Sequence, residues 1–124
     1  MEKKKLKICE VRRGYEYEGP RFIRLGPFSG EEFRENHLLN WLNTLDEQEK
    51  PIVDFEGTKV YSPSFLEESF GGAIREAKTS QEAEINRKKL QLAEFINMDT
   101  AWKEKLNGFI KDAKYKAKDN NGAK

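Results

Sequence analysis

The sequence predicts an α/β fold in which helices pack on a mixed β-sheet, with an N-terminal β-hairpin and a C-terminal helix. Three observations carry this. Short β-branched and aromatic runs alternate with stretches whose apolar residues recur every three or four positions, an order that builds a sheet covered by helices. Serine or aspartate stands in a capping position before each helical stretch. At 124 residues the chain is long enough for one domain with a modest core, expected over 1–117, followed by a polar tail at 118–124 expected to be disordered.

Leu6, Ile8 and Val11 suggest a first strand, "RRGYEYEGP" a turn, and "RFIRL" at 21–25 a returning strand that completes the hairpin. In "GPFSGEEFRENHLLNWLNTL" the period changes: Phe33, His37, Leu38, Trp41, Leu42 and Leu45 fall on one helical face. Ser29 and Glu32 form a capping box, so this helix starts near Gly30. It stops by Asp46, where "DEQEKP" is polar and Pro51 disfavours helix at Lys50.

Ile52 to Phe55 reads as a central strand, with a bend at Gly57. The second helix follows "VYSPSF". Pro63 suits its first turn, with Ser62 as cap; Ser64 competes, because Ser64 and Glu67 make another S-x-x-E box. Gly71 and Gly72 lie inside this helix at about 1 kcal/mol each against alanine, which argues for a close approach to a neighbouring helix or to a partner. "TSQEAEINRK" reads as a polar connection, "KLQLAEFI" as a strand, and residues 98–116 as a third helix capped by Asp99.

Composition excludes several functions. Lys and Arg number 23 against 22 Asp and Glu, a formal net charge of +1, so no global field draws nucleic acid, although "RRGYEY" and "KYKAK" place aromatics beside basic residues. Cys9 is the single cysteine and His37 the single histidine, which leaves no CxxC motif and no histidine pair for a metal. A phosphate-binding GxxxxGK loop is missing, and the start lacks the apolar run of a signal peptide. Glu31/Glu32 and Glu67/Glu68 fall in first helical turns, where they complement the helix dipole. The expectation is a cytoplasmic protein that is not an enzyme and carries no cofactor, no metal and no membrane segment.

"GPFSGEEFRENHLL" followed by "PIVDFEGTKVYSPSFLEESFGG" resembles the small bacterial STAS-like domain family, in which these two segments occur in this order. The match covers about residues 20 to 77, and it implies a STAS-like mixed sheet with helices packed on it. In the related anti-sigma factor antagonists, a serine opening the helix after a central strand is phosphorylated by a kinase of the ATPase fold. By this resemblance Ser64 matches the phosphorylated serine, Ser62 takes the place of the acidic residue before it, and Asp54 lies in the matching strand. The chain reads Ser-Pro-Ser-Phe where Asp-Ser-Ser-Gly is usual.

The resemblance therefore implies a regulatory module working by reversible protein binding, switched at Ser64 or Ser62, with a histidine-kinase-like-fold ATPase as partner. Its contact face is expected to comprise Gly57, Thr58, Lys59 and Tyr61, the exposed side of the second helix with Ser62, Ser64, Glu67 and Glu68, and Asp54. Two alternatives stand beside it. One is a sensor holding a nucleotide or small ligand at the helix N-terminus. The other is an oligomerisation or inhibitor scaffold, such as a homodimer through a sheet edge or Gly71 and Gly72, in which the serines are only caps.

Overall fold

The computed structural model describes residues 5–46 and 48–117; the expected tail at 118–124 lies outside them. Three short strands, β1 (Lys5–Lys7), β2 (Ile52–Asp54) and β3 (Glu94–Ile96), form a sheet with β2 in the centre. Val53 sits opposite Leu6 on one side and Phe95 on the other. The sheet is parallel throughout, not mixed. A parallel pair needs a long crossover, and helices provide both crossovers here. Covered on its faces, β2 reads as a nearly continuous apolar run, and Val53 and Phe55 are buried.

Among the described residues, no N-terminal hairpin forms. After β1 the chain curls into a single helical turn, α1 (Ile8–Val11), and Ile23–Leu25 is a 3-10 turn. Ile23 and Leu25 remain more than half exposed, because this segment is captured by a helix instead of a strand. The carbonyls of Pro20 and Arg21 accept the N–H groups of Gly30 and Glu31, and Glu31 Oε1 accepts the Ile23 N–H. Orphan donors of a helix N-terminus thus take the groups that a hairpin partner would have used.

The next helix, α2 (30–43), starts at Gly30 as expected, with Ser29 Oγ accepting the Glu32 N–H at 3.0 Å. Phe33, Leu38 and Leu42 are buried on its inner face. The helix that follows β2, α3 (63–75), is capped by Ser62, whose Oγ accepts the Phe65 N–H at 3.2 Å, with Pro63 in its first turn. Both helices contain a π turn, Arg34–Leu38 in α2 and Glu67–Gly71 in α3, where Leu39 N–H reaches Arg34 O and Gly72 N–H reaches Glu67 O. The periodicity gave no sign of either turn.

The supposed polar connection after α3 is a 13-residue helix, α4 (Ser80–Leu92), and β3 is only the end of the expected strand. Thr79 caps α4 by accepting the Glu82 N–H. The helix buries only Ala83, Asn86 and Leu90, so its inner stripe is too thin to stand out by hydropathy. Asn86 Nδ2 donates to the Ala73 carbonyl at 2.8 Å and joins α4 to α3. The last helix, α5 (Thr100–Asp112), has Asp99 as its cap and buries Leu106 and Ile110. Arg87 of α4 donates to the carbonyls of Ile110, Lys111 and Ala113, closing the C-terminus of α5.

One apolar cluster runs from Leu6 to Ala113 and includes the fully buried rings of Tyr15, Phe33, Phe55, Phe65 and Phe70. Among the described residues, no helix is long and apolar enough to cross a membrane.

Candidate functional site

Because the strands are parallel, the segments leaving them open at one edge, where α/β proteins carry their functional loops. Here that edge holds α1 with Cys9, the loop 55–62, and Asn97 to Asp99. Asp54 closes the end of β2. It is 2% exposed, and its Oδ1 accepts Asn97 Nδ2 at 2.7 Å and the Glu56 N–H at 2.9 Å. Burial would raise this carboxyl, but these bonds and the charges of Lys5 and Lys7 hold it below the usual range. Asp54 therefore braces the loop from beneath and does not face outward.

Beyond the turn at Gly57 (φ +94°), Thr58 Oγ1 lies 3.6 Å from Cys9 Sγ, and burial pushes that thiol up. The Lys59 and Val60 N–H groups both donate to Glu16 O, and the Glu18 N–H donates to Val60 O. Tyr17 and Val60 pair as a parallel bridge with both side chains about half exposed. Tyr61 stacks on Trp102 of α5 at 5.2 Å between ring centres. The loop is thus held by 16–18 on one side and α5 on the other. Val60 lies within the loop expected to form the contact face, whereas Tyr17, Glu18 and Trp102 complete this edge and were not placed there by sequence reasoning, which read "RRGYEYEGP" as a turn.

Which serine caps α3 is resolved by geometry. The Ser62 hydroxyl is engaged with Phe65 N–H, and the Ser62 N–H donates to Glu18 Oε1 at 2.7 Å. Ser64 sits in the first turn, half-buried, and among the described residues its hydroxyl has no hydrogen-bond partner.

Glu67 and Glu68 are not simply on an exposed helix face. Glu68 is 4% exposed, and Arg34 of α2 reaches both its carboxylate, at 2.6 Å, and its main-chain oxygen, at 2.9 Å. Arg21 and Arg75 bridge Glu67 and Glu68. Burial would raise Glu67, but hydrogen bonds from Arg75 and Arg21 hold it below the usual carboxylate value. Gly72 permits this arrangement, since a Cβ there would lie 2.5 Å from Arg34 Nη1. A Cβ at Gly71 would meet Glu67 Oε2 at 2.7 Å, so the glycine pair serves close packing inside the domain.

The structure thus brings Gly57, Thr58, Lys59, Tyr61, Ser62 and Ser64 to one edge, with Asp54 beneath it, Glu68 turned into the α2 interface and Glu67 held by Arg21 and Arg75. His37 lies apart, its ring 5.8 Å from that of Tyr15, and burial lowers its pKa. Among the described residues, no group of three or more His, Cys, Asp or Glu side chains is placed to hold a metal ion.

The segment that builds this edge and the α2–α3 interface is also the segment with a recognisable family. The model of the "STAS-like domain of unknown function (DUF4325)" matches residues 29–90, half of the chain. The chain belongs to this STAS-like family. No curated protein and no solved structure matches it. In this STAS-like domain the family segment begins at the α2 cap, Ser29, and ends at Leu90, the last buried residue of α4. It contains Arg34, Glu67, Glu68 and both site serines. Glu18 and Trp102, which complete the edge, lie outside it.

Proposed function

We propose that this STAS-like domain is a cytoplasmic, non-enzymatic regulatory module that binds a protein partner through the loop 57–62 and the first turn of α3. The observation that carries the reading is the contrast between the two serines. Ser62 is committed to the helix cap, whereas the hydroxyl of Ser64 is unengaged at the N-terminus of α3. Ser64 is therefore the residue a kinase could modify at little cost to the fold. A phosphate there adds about −1.5 to −2 charge, favoured by the helix N-terminus. Arg21, Arg34 and Arg75 already neutralise Glu67 and Glu68, which weakens the repulsion those carboxylates would otherwise exert.

The partner we propose is an ATPase of the histidine-kinase-like fold, with binding in the manner of an anti-sigma factor antagonist. The test is a titration of such an ATPase with the wild-type domain, Ser64→Glu and Ser64→Ala. Ser64→Glu is expected to weaken binding tenfold or more, about 1.4 kcal/mol, with the thermal transition unchanged. Ser64→Ala is expected to bind as wild type and to take no phosphate. Equal affinity of all three would remove the switch.

A further inference from the structure

Glu18 differs from every carboxylate in the ion-pair network. The residue is 8% exposed. Its Oε1 accepts the Ser62 N–H at 2.7 Å, while Oε2 is enclosed with no hydrogen-bond partner. The main chain around it forms a small ladder: Glu18 N–H to Val60 O, and the Lys59 and Val60 N–H groups to Glu16 O. Glu18 therefore stands where the loop 57–62, segment 14–19 and the cap of α3 meet.

Among the described residues, no cation pairs with Glu18. The thiol of Cys9, from α1, and the phenol of Tyr61, from the loop, face it; burial pushes both of them up, and the charge of Glu18 adds to that. Burial pushes Glu18 itself up to about 8, although the Ser62 N–H pulls the other way. In the neutral acid, Oε1 acts as a carbonyl accepting the Ser62 N–H and the proton sits on Oε2. When that proton passes to solvent, a negative oxygen is left in an enclosure that offers it no donor. An unpaired buried charge is costly, and admitting water by parting the ladder is the nearest relief.

We propose that Glu18 is a proton-operated latch, closing the loop 57–62 onto segment 14–19 and the α3 cap when protonated and releasing the loop when ionised. The latch would gate the face assigned above to partner binding, but its test reads the loop alone, so either idea can fail without the other.

The experiment is amide hydrogen exchange on the full chain from about pH 5 to 9, with intrinsic exchange divided out, alongside a carbon-13 titration of the Glu18 carboxyl. For groups that shift in this way, protection at the Glu18, Val60 and Ser62 amides falls by up to about tenfold per pH unit and levels near pH 8. The Glu18→Gln variant, which cannot ionise, is expected to hold protection constant across that range. A Glu18 carboxyl titrating at its ordinary value of 4.5 would overturn the latch. So would a pH course in Glu18→Gln matching the wild type. Should that variant not fold, the carboxyl titration and exchange of the unaltered chain still decide the matter.

Discussion

Two buried glutamates divide this molecule into a region that is locked and a region that can move. Glu68, 4% exposed, meets Arg34, Arg75 and Arg21 between α2 and α3. Glu18, 8% exposed, meets one main-chain N–H and, among the described residues, no cation. Burial is nearly the same, so partners decide the outcome. Between the helices the charges rivet two π turns together. At the sheet edge the same side chain leaves the surrounding loop sensitive to a single proton. A desolvated carboxylate stabilises only where the fold also brings its counter-charge.

The largest effect should come from unbalancing the locked region. Arg34→Ala leaves Glu68 buried without its closest guanidinium and should cost about 3–5 kcal/mol, read from a denaturant midpoint with unchanged m-value. Replacing Arg34 and Glu68 together with methionines should recover much of that loss, because the buried pair is then removed together while Arg21 and Arg75 keep Glu67 as their partner. Additive losses in the double variant would show that packing, and not the ion pair, joins α2 to α3.

Comparing pH profiles sharpens the contrast, because the two regions respond with opposite sign. Glu67 is held below its ordinary 4.5, so its contribution is present above that value and lost as pH falls through the lowered folded value. Glu18 is raised, so its contribution is fully present below 4.5 and lost as pH rises towards about 8. His37, lowered by burial from 6.5, withdraws stability on the acid side of that value and partly masks the Glu18 slope. The informative quantity is therefore the difference between wild type and Glu18→Gln. It should grow from about pH 4.5 to 8 by no more than about 4–5 kcal/mol, and by less if the loop opens first.

Glycine to alanine should have opposite signs at two sites. In Gly30→Ala the new Cβ would lie 2.5 Å from the Phe65 carbonyl oxygen, a backbone atom of α3, and should cost about 1–3 kcal/mol. In α5, a Cβ at Gly108 meets nothing within 4 Å, so Gly108→Ala should stabilise by about 0.5–1 kcal/mol. A neutral Gly30→Ala would mean that α2 and α3 can separate without penalty.

The parts legible in the sequence were those where local chemistry and burial agree. Ser29 with Glu32, and Asp99 before α5, announced their helices because a cap is a short-range hydrogen bond. The β2 strand was legible as an apolar run between turn residues. The helix α4 was not, since Asn86 takes one of its three buried positions and satisfies the Ala73 carbonyl instead of filling a hydrophobic stripe. Segment 21–25 looked like a strand because spacing cannot reveal that the N-terminus of α2 would claim its carbonyls. The site was half legible. Its loop and serines follow from strand-turn-helix order, but Glu18 reaches Ser62 across 44 residues and Trp102 stacks on Tyr61 across 41, contacts made only by the tertiary fold.

The smallest predicted effect separates the two serines. Ser62→Ala removes the acceptor of the Phe65 N–H and should cost about 1 kcal/mol. Ser64→Ala removes a hydroxyl that holds nothing and should stay within about 0.5 kcal/mol of wild type. Thermal unfolding of both variants in one buffer, with Glu18→Gln as a third, makes the comparison strict. Glu18→Gln keeps an oxygen for the Ser62 N–H, so any loss at Ser62→Ala that it lacks belongs to the cap alone. Equal losses at both serines would mean that the first turn of α3 draws on either hydroxyl, and Ser64 could then no longer be modified without disturbing the helix it opens.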